Sequence, residues 1–136
     1  MSIALIAFLF GLIIGSFLNV LVIRSGARSL SGRSACMSCG QMIYWYDNIP
    51  VLSWLMLSGK CRRCKSAISI QYPLVEFTTG IVFAAIAYPY GATLEAIPPA
   101  LPILLSFAVA ALYIAIAVYD MRHTIIPNGW AYTAAV

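Results

Sequence analysis

The sequence predicts an all-α, polytopic membrane protein with three complete transmembrane helices, the start of a fourth, and a small four-cysteine lobe between helices one and two. Three observations lead to this prediction. Of the 136 residues, 62% are hydrophobic and only 9% are charged, which is too little polar surface for a soluble globule of this size. The apolar residues occur in long uncharged runs. All four cysteines fall within one hydrophilic stretch between the first two runs.

The first apolar run covers residues 3–23 and contains no charged residue. At about 1.5 Å per residue it is long enough to cross a hydrocarbon core of about 30 Å, so residues 1–23 are assigned to transmembrane helix one. A cleaved signal peptide is the alternative, but the arginines follow the run instead of preceding it. We therefore expect a retained anchor. Gly11 and Gly15 form a small-xxx-small pair with Asn19 nearby, which would let another helix approach closely.

Residues 24–73 form the predicted lobe, and they contain seven of the eight basic residues of the chain. This asymmetry follows the positive-inside rule, so we expect the lobe on the cytoplasmic side of the membrane and the N-terminus outside. A pI near 9.0 is also typical of nucleic-acid-binding proteins. However, the basic residues flank membrane entry points and do not alternate with aromatic residues, so membrane lipid is predicted to surround the helices and no nucleic acid is expected to bind.

The four cysteines occur as two C-x2-C pairs, Cys36 with Cys39 and Cys61 with Cys64. The 21 residues between the pairs are close to the spacing of about 15 to 20 that is usual for a four-thiolate zinc site. A reducing cytoplasm favours metal thiolates over disulfides. Because 50 residues of this composition cannot build much of a core, we expect a zinc-ribbon-like lobe ordered by structural zinc. A single iron bound by the same four thiolates is the alternative.

Residues 74–136 form a second membrane region. Pro73 precedes an apolar run from Leu74 to about Tyr88, and Glu76 lies in its predicted first turn, where an acid could simply sit at the interface. Residues 101–119 make a third crossing. No internal repeat is evident, and no glycine-rich phosphate loop is present.

The last apolar run, 130–136, stops after less than two turns. A membrane helix cannot end there with its backbone unsatisfied in lipid, so we expect either a truncated chain or a partner that completes the helix.

Asp120 follows the third apolar run directly. A carboxylate is unfavourable at the negative end of a helix dipole, so an aspartate at this place is a candidate catalytic residue. An aspartate that is simply solvated at the helix exit is the alternative. His123, the only histidine, is predicted to be a solvated interfacial residue, because the four thiols already complete a tetrahedral site.

Several short motifs occur in an order that matches one known family. They are Gly15-Ser-Phe-Leu-Asn-Val20, the cysteine pairs, Asp47-Asn-Ile-Pro50, Gly59-Lys-Cys-Arg62, Tyr72-Pro-Leu-Val-Glu76, and Asp120 ahead of Ile126-Pro-Asn128. On these motifs, which span nearly the whole chain, the sequence closely resembles the type 4 prepilin peptidases.

The resemblance implies an aspartic endopeptidase of the bacterial inner membrane that removes the leader of type IV prepilins or type II secretion pseudopilins on the cytoplasmic side. It also implies that residues 74–136 contain the start of the aspartic protease domain. It identifies Asp120 as the first of two catalytic aspartates. Many members of the family also methylate the new N-terminal residue with S-adenosylmethionine, and the matching positions for that activity are Gly59, Lys60 and Glu76. We further expect Gly11, Gly15 and Asn19 to help helix one dock against the apolar segment of the substrate.

The second aspartate of the family lies in a later membrane helix and has no counterpart in this sequence. We therefore expect the chain to be the N-terminal portion of a longer enzyme. A homodimer that pairs two Asp120 residues is one alternative. A non-enzymatic, membrane-anchored zinc module that acts as an assembly factor is the other.

Overall fold

The computed structural model describes residues 3–25, 33–91 and 100–123. The chain is mostly helical, as predicted. In chain order the helices are α1 (Ile3–Arg24), α2 (Leu52–Met56), α3 (Gln71–Ala87) and α4 (Ala100–His123), with 3-10 turns at Trp45–Asn48 and Tyr88–Gly91. The predictions that concern the turn at 127–129 and the apolar run at 130–136 lie outside the described residues.

Two helices have the length and composition to cross a membrane. They are Ile3–Arg24 and Leu101–Arg122, each of 22 residues. Helix α3 is apolar but has only 17 residues. The prediction of membrane-spanning helices is thus supported for α1 and α4, whereas the count of three complete crossings is not confirmed.

Three long helices pack with α1 and α4 parallel and α3 antiparallel to both. At one end of the bundle, Ala7 of α1 contacts Phe83 of α3, which stacks on Phe107 of α4 with ring centroids 4.3 Å apart. At the other end, Val22, Val75 and Val118 form a second buried cluster. The chain leaves α1 and enters α3 at this second end, so the four-cysteine lobe lies there.

The small residues of α1 pack against α3, which confirms that they allow close helix approach. A β-carbon added to Gly11 would lie 2.7 Å from the Cα of Gly80. Gly11, Gly15 and Asn19 are all buried. The expectation that these three residues receive the substrate helix is therefore wrong, because α3 already covers them. The exposed face of α1 is the opposite one and consists of large apolar side chains such as Ile13 and Phe17.

Helix α3 begins at Gln71, three residues before the predicted start. Pro73 is the third helical residue, where its missing N–H removes no intrahelical hydrogen bond. Glu76 therefore lies in the second turn and is only 7% exposed. It is not the first-turn acid at the interface that the sequence suggested, because the helix begins earlier and because Glu76 lies on the face of α3 that packs against Gly15 of α1.

Candidate functional site

The lobe consists of two knuckles, residues 34–43 and 59–68, each built around one C-x2-C pair. In the first knuckle the N–H of Cys36 donates to the C=O of Gln41 at 2.9 Å, and the N–H of Ile43 donates to Ser34 at 2.8 Å. In the second, the N–H of Cys61 donates to Ser66 at 2.9 Å and that of Ile68 donates to Gly59 at 2.7 Å. Each knuckle closes through one antiparallel bridge, Ala35 with Met42 and Lys60 with Ala67. Each knuckle is thus a short hairpin.

The two knuckles are structural copies of each other, offset by 25 positions along the sequence. The residue after the second cysteine has a left-handed backbone in both copies, with φ of 70° at Gly40 and 59° at Lys65. The prediction that the chain has no internal repeat is wrong at this level. The repeat was hard to see because the two copies share little beyond the cysteines and a final isoleucine, Ile43 or Ile68.

The fold brings the four cysteine sulfurs together. All four Sγ atoms lie within 4.8 Å of one another, and those of Cys36 and Cys64 are 3.8 Å apart. Four ligands at the Zn–S distance of about 2.3 Å would have sulfurs separated by about 3.8 Å in a tetrahedron. The geometry is therefore close to that of a tetrahedral four-thiolate metal site.

The pKa values of the thiols are also consistent with a site that binds a cation. The backbone N–H groups of Cys39 and Ser38, together with the hydroxyl of Ser66, lower the pKa of the Cys36 thiol to about 6. The backbone N–H of Gln41 acts in the same direction on Cys39, but desolvation and the neighbouring sulfurs of Cys64 and Cys36 outweigh it and raise the pKa of Cys39 to about 11. Adjacent thiolates repel one another, so the set ionises fully only around a positive ion.

Ser66 is a residue that the sequence reasoning missed. Its Oγ lies 3.1 Å from the Sγ of Cys64 and 3.6 Å from that of Cys36, so it bridges the two knuckles. A hydroxyl in this position can donate to a thiolate and orient it. The sequence signal was weak, because a serine two residues after a cysteine is common.

Gly59 and Lys60 begin the second knuckle. Gly59 has φ of 65°, and a β-carbon there would lie 2.8 Å from the indole ring of Trp54. That ring is itself held by a hydrogen bond from its Nε1 to the C=O of Ile68 at 3.1 Å. Glycine at this position is therefore required by the backbone and by the packing of Trp54, whatever else it does.

Asp47 lies in the 3-10 turn at Trp45–Asn48 and forms a bidentate ion pair with Arg62, which lies between the two cysteines of the second pair. The Nε of Arg62 donates to Oδ2 at 2.8 Å, and Nη2 donates to Oδ1 at 2.6 Å. The hydrogen bonds and charge of Arg62 lower the pKa of the Asp47 carboxyl. The guanidinium also lies 5.6 Å from the ring centroid of Tyr46, which stacks on Tyr44. A small aromatic cluster is thus present in the lobe.

Glu76 connects the lobe to the helices. Its Oε2 accepts a hydrogen bond of 2.7 Å from the N–H of Val51, and the hydroxyl of Ser16 also reaches the carboxylate. Val51 has φ of 62°, an uncommon value for a β-branched residue. The structure thus places Glu76 between α1, α3 and the start of α2, while Gly59 and Lys60 belong to the knuckle.

Asp120 lies near the end of α4, two residues after Val118, which packs against Val22 and Val75. It is therefore at the same end of the bundle as the lobe, and it is half-buried. Nearby in the bundle, Asn19 is 2% exposed. Its Nδ2 donates to the C=O of Tyr72 at 3.1 Å, and its Oδ1 has no partner among the described residues.

Comparison with known proteins gives a consistent result. A model of the bacterial peptidase A24 N-terminal domain matches residues 9–90. A prepilin leader peptidase/N-methyltransferase from Myxococcus xanthus is 40% identical over 91% of this chain and 36% of its own length. An enzyme of the same name from Pseudomonas aeruginosa is 33% identical over 94% of this chain and 50% of its own length.

A third relative, a type 4 prepilin-like proteins leader peptide-processing enzyme from Escherichia coli, is 36% identical over 87% of this chain and 49% of its own length. The chain thus spans about a third to a half of the length of these relatives. No solved structure matches it.

Proposed function

The chain belongs to the bacterial A24 peptidase family, and we propose that it supplies the N-terminal domain and first catalytic aspartate of an inner-membrane enzyme that removes the leader peptide of prepilins. Type IV prepilins or type II secretion pseudopilins are the proposed substrates, and cleavage is proposed to occur on the cytoplasmic side. The observation that carries the proposal is the position of Asp120, which α4 places at the lobe end of the bundle, beside the cluster of Val22, Val75 and Val118.

In the proposed reaction Asp120 acts together with a second catalytic aspartate. One carboxylate takes a proton from the attacking water, while the other, protonated, polarises the scissile carbonyl. Two carboxylates about 3 Å apart cannot both ionise, which keeps one proton between them. We propose that the second aspartate belongs to a part of the enzyme beyond the present sequence, or else to a second copy of this chain.

Asp47 is a poor candidate for that second aspartate. Both of its carboxylate oxygens accept hydrogen bonds from Arg62, and this pairing lowers its pKa. An acid that must hold the shared proton of a dyad needs the opposite influence. The ion pair therefore supports a structural role for Asp47.

We propose that the four cysteines bind structural zinc. Cys36, Cys39, Cys61 and Cys64 would close a tetrahedral site and leave no open position for water or substrate. The metal would fix the relative position of the two knuckles. Hydrolysis is assigned to Asp120 and not to this site.

We also propose N-methylation of the new N-terminal residue, with S-adenosylmethionine as the methyl donor. The N-methyltransferase in the names of the relatives from Myxococcus xanthus and Pseudomonas aeruginosa supports the methylation. Gly59, Lys60 and Glu76 are the proposed residues for methyl transfer. The buried carboxylate of Glu76, bonded to Val51 at the junction of lobe and helices, is the feature best suited to hold an amine.

The test compares Asp120→Asn with Met121→Ala in the full-length enzyme, reconstituted with a prepilin. Met121 is 77% exposed and serves as the matched neighbour. Asp120→Asn should lower leader cleavage at least about 10³-fold, as the loss of one member of a catalytic unit does, while metal content and methylation of a pre-cleaved substrate remain. Met121→Ala should leave all three unchanged. The assembly-factor alternative predicts instead that Asp120→Asn has no effect and that Cys61→Ser disrupts function.

A further inference from the structure

Residues Asn48, Ile49, Pro50 and Val51, here called the 48–51 segment, are attached to the rest of the protein from both sides. On one side, Asp47 directly precedes the segment and is paired with Arg62 of the second knuckle. On the other side, the N–H of Val51 donates to Glu76 of α3. The segment therefore connects the metal lobe to the membrane helices through two specific polar contacts.

Asn48, Ile49 and Pro50 of this segment form one wall of a cleft of about 420 Å³. The opposite wall is the outer face of α1, including Phe17 and Val20, and Ser16 lies on the same wall. Ser16 also reaches the carboxylate of Glu76. The cleft and the hydrogen bond between Val51 and Glu76 therefore lie on the two sides of the 48–51 segment. A shift of the 48–51 segment would change both together.

The backbone conformation of Val51 indicates that surrounding contacts constrain the 48–51 segment. A β-branched residue with φ of 62° is strained, and such a conformation persists only where its surroundings impose it. If the attachment at Asp47 were released, Val51 could return to a negative φ, and its N–H would turn away from Glu76.

We propose that Asp47 and Arg62 are positioning residues that transmit the metal-dependent order of the lobe to the 48–51 segment, and so set the position of the cleft wall and the Val51–Glu76 contact. Arg62 is well suited to this role because it lies inside the C-x2-C pair of the second knuckle, where metal ligation would fix its backbone. The proposal rests on metal binding by the cysteines and not on leader cleavage, so an inactive Asp120→Asn enzyme would still obey it.

Arg63 provides the matched control. It is the next residue, carries the same charge and lies between the same two cysteines, but its side chain donates to Gln41 of the first knuckle. Its contact therefore remains within the lobe. Loss of Arg63 changes the net charge as much as loss of Arg62 does, without cutting the connection to the 48–51 segment.

The experiment measures amide hydrogen exchange of the 48–52 backbone in the zinc-loaded, full-length protein in lipid nanodiscs, with metal content determined in parallel. Asp47→Ala should retain its metal but exchange about tenfold faster in this segment, as expected for losing hydrogen bonds to a charged group. Asp47→Glu should recover most of the protection. Arg63→Ala should match the wild type. Because Asp47 lies far from the cysteines in sequence, its substitution avoids the disturbance that a change at Arg62 could cause in the knuckle.

Metal removal completes the test. Chelation should accelerate exchange of the 48–52 amides in the wild-type protein, but it should add less than about twofold in Asp47→Ala, where the connection is already cut. Unchanged exchange in Asp47→Ala would overturn the proposal. So would an effect of chelation that is equally large in the wild type and in Asp47→Ala, since the metal would then act by another route.

Discussion

Gly15 of α1 lies directly against the backbone of Glu76 in α3, so that a β-carbon on Gly15 would be 2.6 Å from the Glu76 Cα. The neighbouring contacts, with the Oγ1 of Thr79 and the C=O of Val75, would each be 3.0 Å away. Two of these three atoms are backbone and cannot move aside without moving the helix. The position of Glu76, and of the loop it holds, therefore depends on a glycine in another helix.

Gly15→Val should separate α1 from α3 and destabilise the protein by about 1–3 kcal/mol, the usual cost of overpacking. The measurement is thermal unfolding in detergent, followed by near-ultraviolet circular dichroism. Ile13→Val is the control, because Ile13 is 60% exposed on the other face of α1 and its substitution should change the unfolding temperature little. Equal effects of the two substitutions would show that α1 and α3 do not pack as described.

The membrane helices could be predicted because a long run of apolar residues without charges identifies such a helix in the sequence. For α1 and α4 the predicted limits differ from the observed ones by a few residues at most. The sequence could not predict which helix packs against the small-residue face of α1, because the Gly11–Gly15 pair indicates only that some helix can approach closely there. A substrate helix was the predicted partner of this face. In the structure α3, which follows α1 in the chain after the lobe, occupies the face instead.

At the site, sequence spacing was enough to predict that the four cysteines come together. It could not reveal the Asp47–Arg62 pair, the Val51–Glu76 hydrogen bond or the contacts of Ser66, which join residues 15, 25 and up to 30 positions apart. Such contacts depend on how the two knuckles and the 48–51 segment pack, and no local pattern encodes them. The burial of Glu76 was missed for a similar reason, since it follows from its packing against Gly15 of α1 and its hydrogen bond with Val51.

The repeated left-handed position gives a prediction for the two knuckles. Gly40→Ala should cost about 1 kcal/mol and weaken zinc affinity about fivefold, because φ of 70° is unfavourable for a residue with a β-carbon. No atom lies within 4 Å of that β-carbon, so the cost is conformational and not steric. Lys65→Gly, at the equivalent place, should not weaken zinc binding. Competition with a chromophoric chelator measures both affinities.

Zinc affinity should also depend on Ser66. Ser66→Ala removes the hydroxyl that lies between Cys36 and Cys64, and loss of such a supporting hydrogen bond should lower the affinity about 10- to 100-fold. Ser38→Ala is the control, because only the backbone of Ser38 is found to act on the thiol of Cys36. The same chelator competition applies. Equal affinities of the two variants would show that Ser66 does not support the ligands.

Gly59 allows a structural role to be separated from a role in methyl transfer. Gly59→Ala places a β-carbon against the six-membered ring of Trp54, at 2.8 Å, and also forces a residue with a side chain into φ of 65°. We expect a loss of about 2–3 kcal/mol of stability from overpacking and backbone strain together. Trp54→Phe removes the larger ring, so the double variant should be more stable than the sum of the single effects predicts, by about 1 kcal/mol. Thermal unfolding of the two single variants and the double variant gives this coupling.

If Gly59 also binds the methyl donor, the double variant should recover stability without recovering methylation of a pre-cleaved substrate. Recovery of both would assign Gly59 to packing alone.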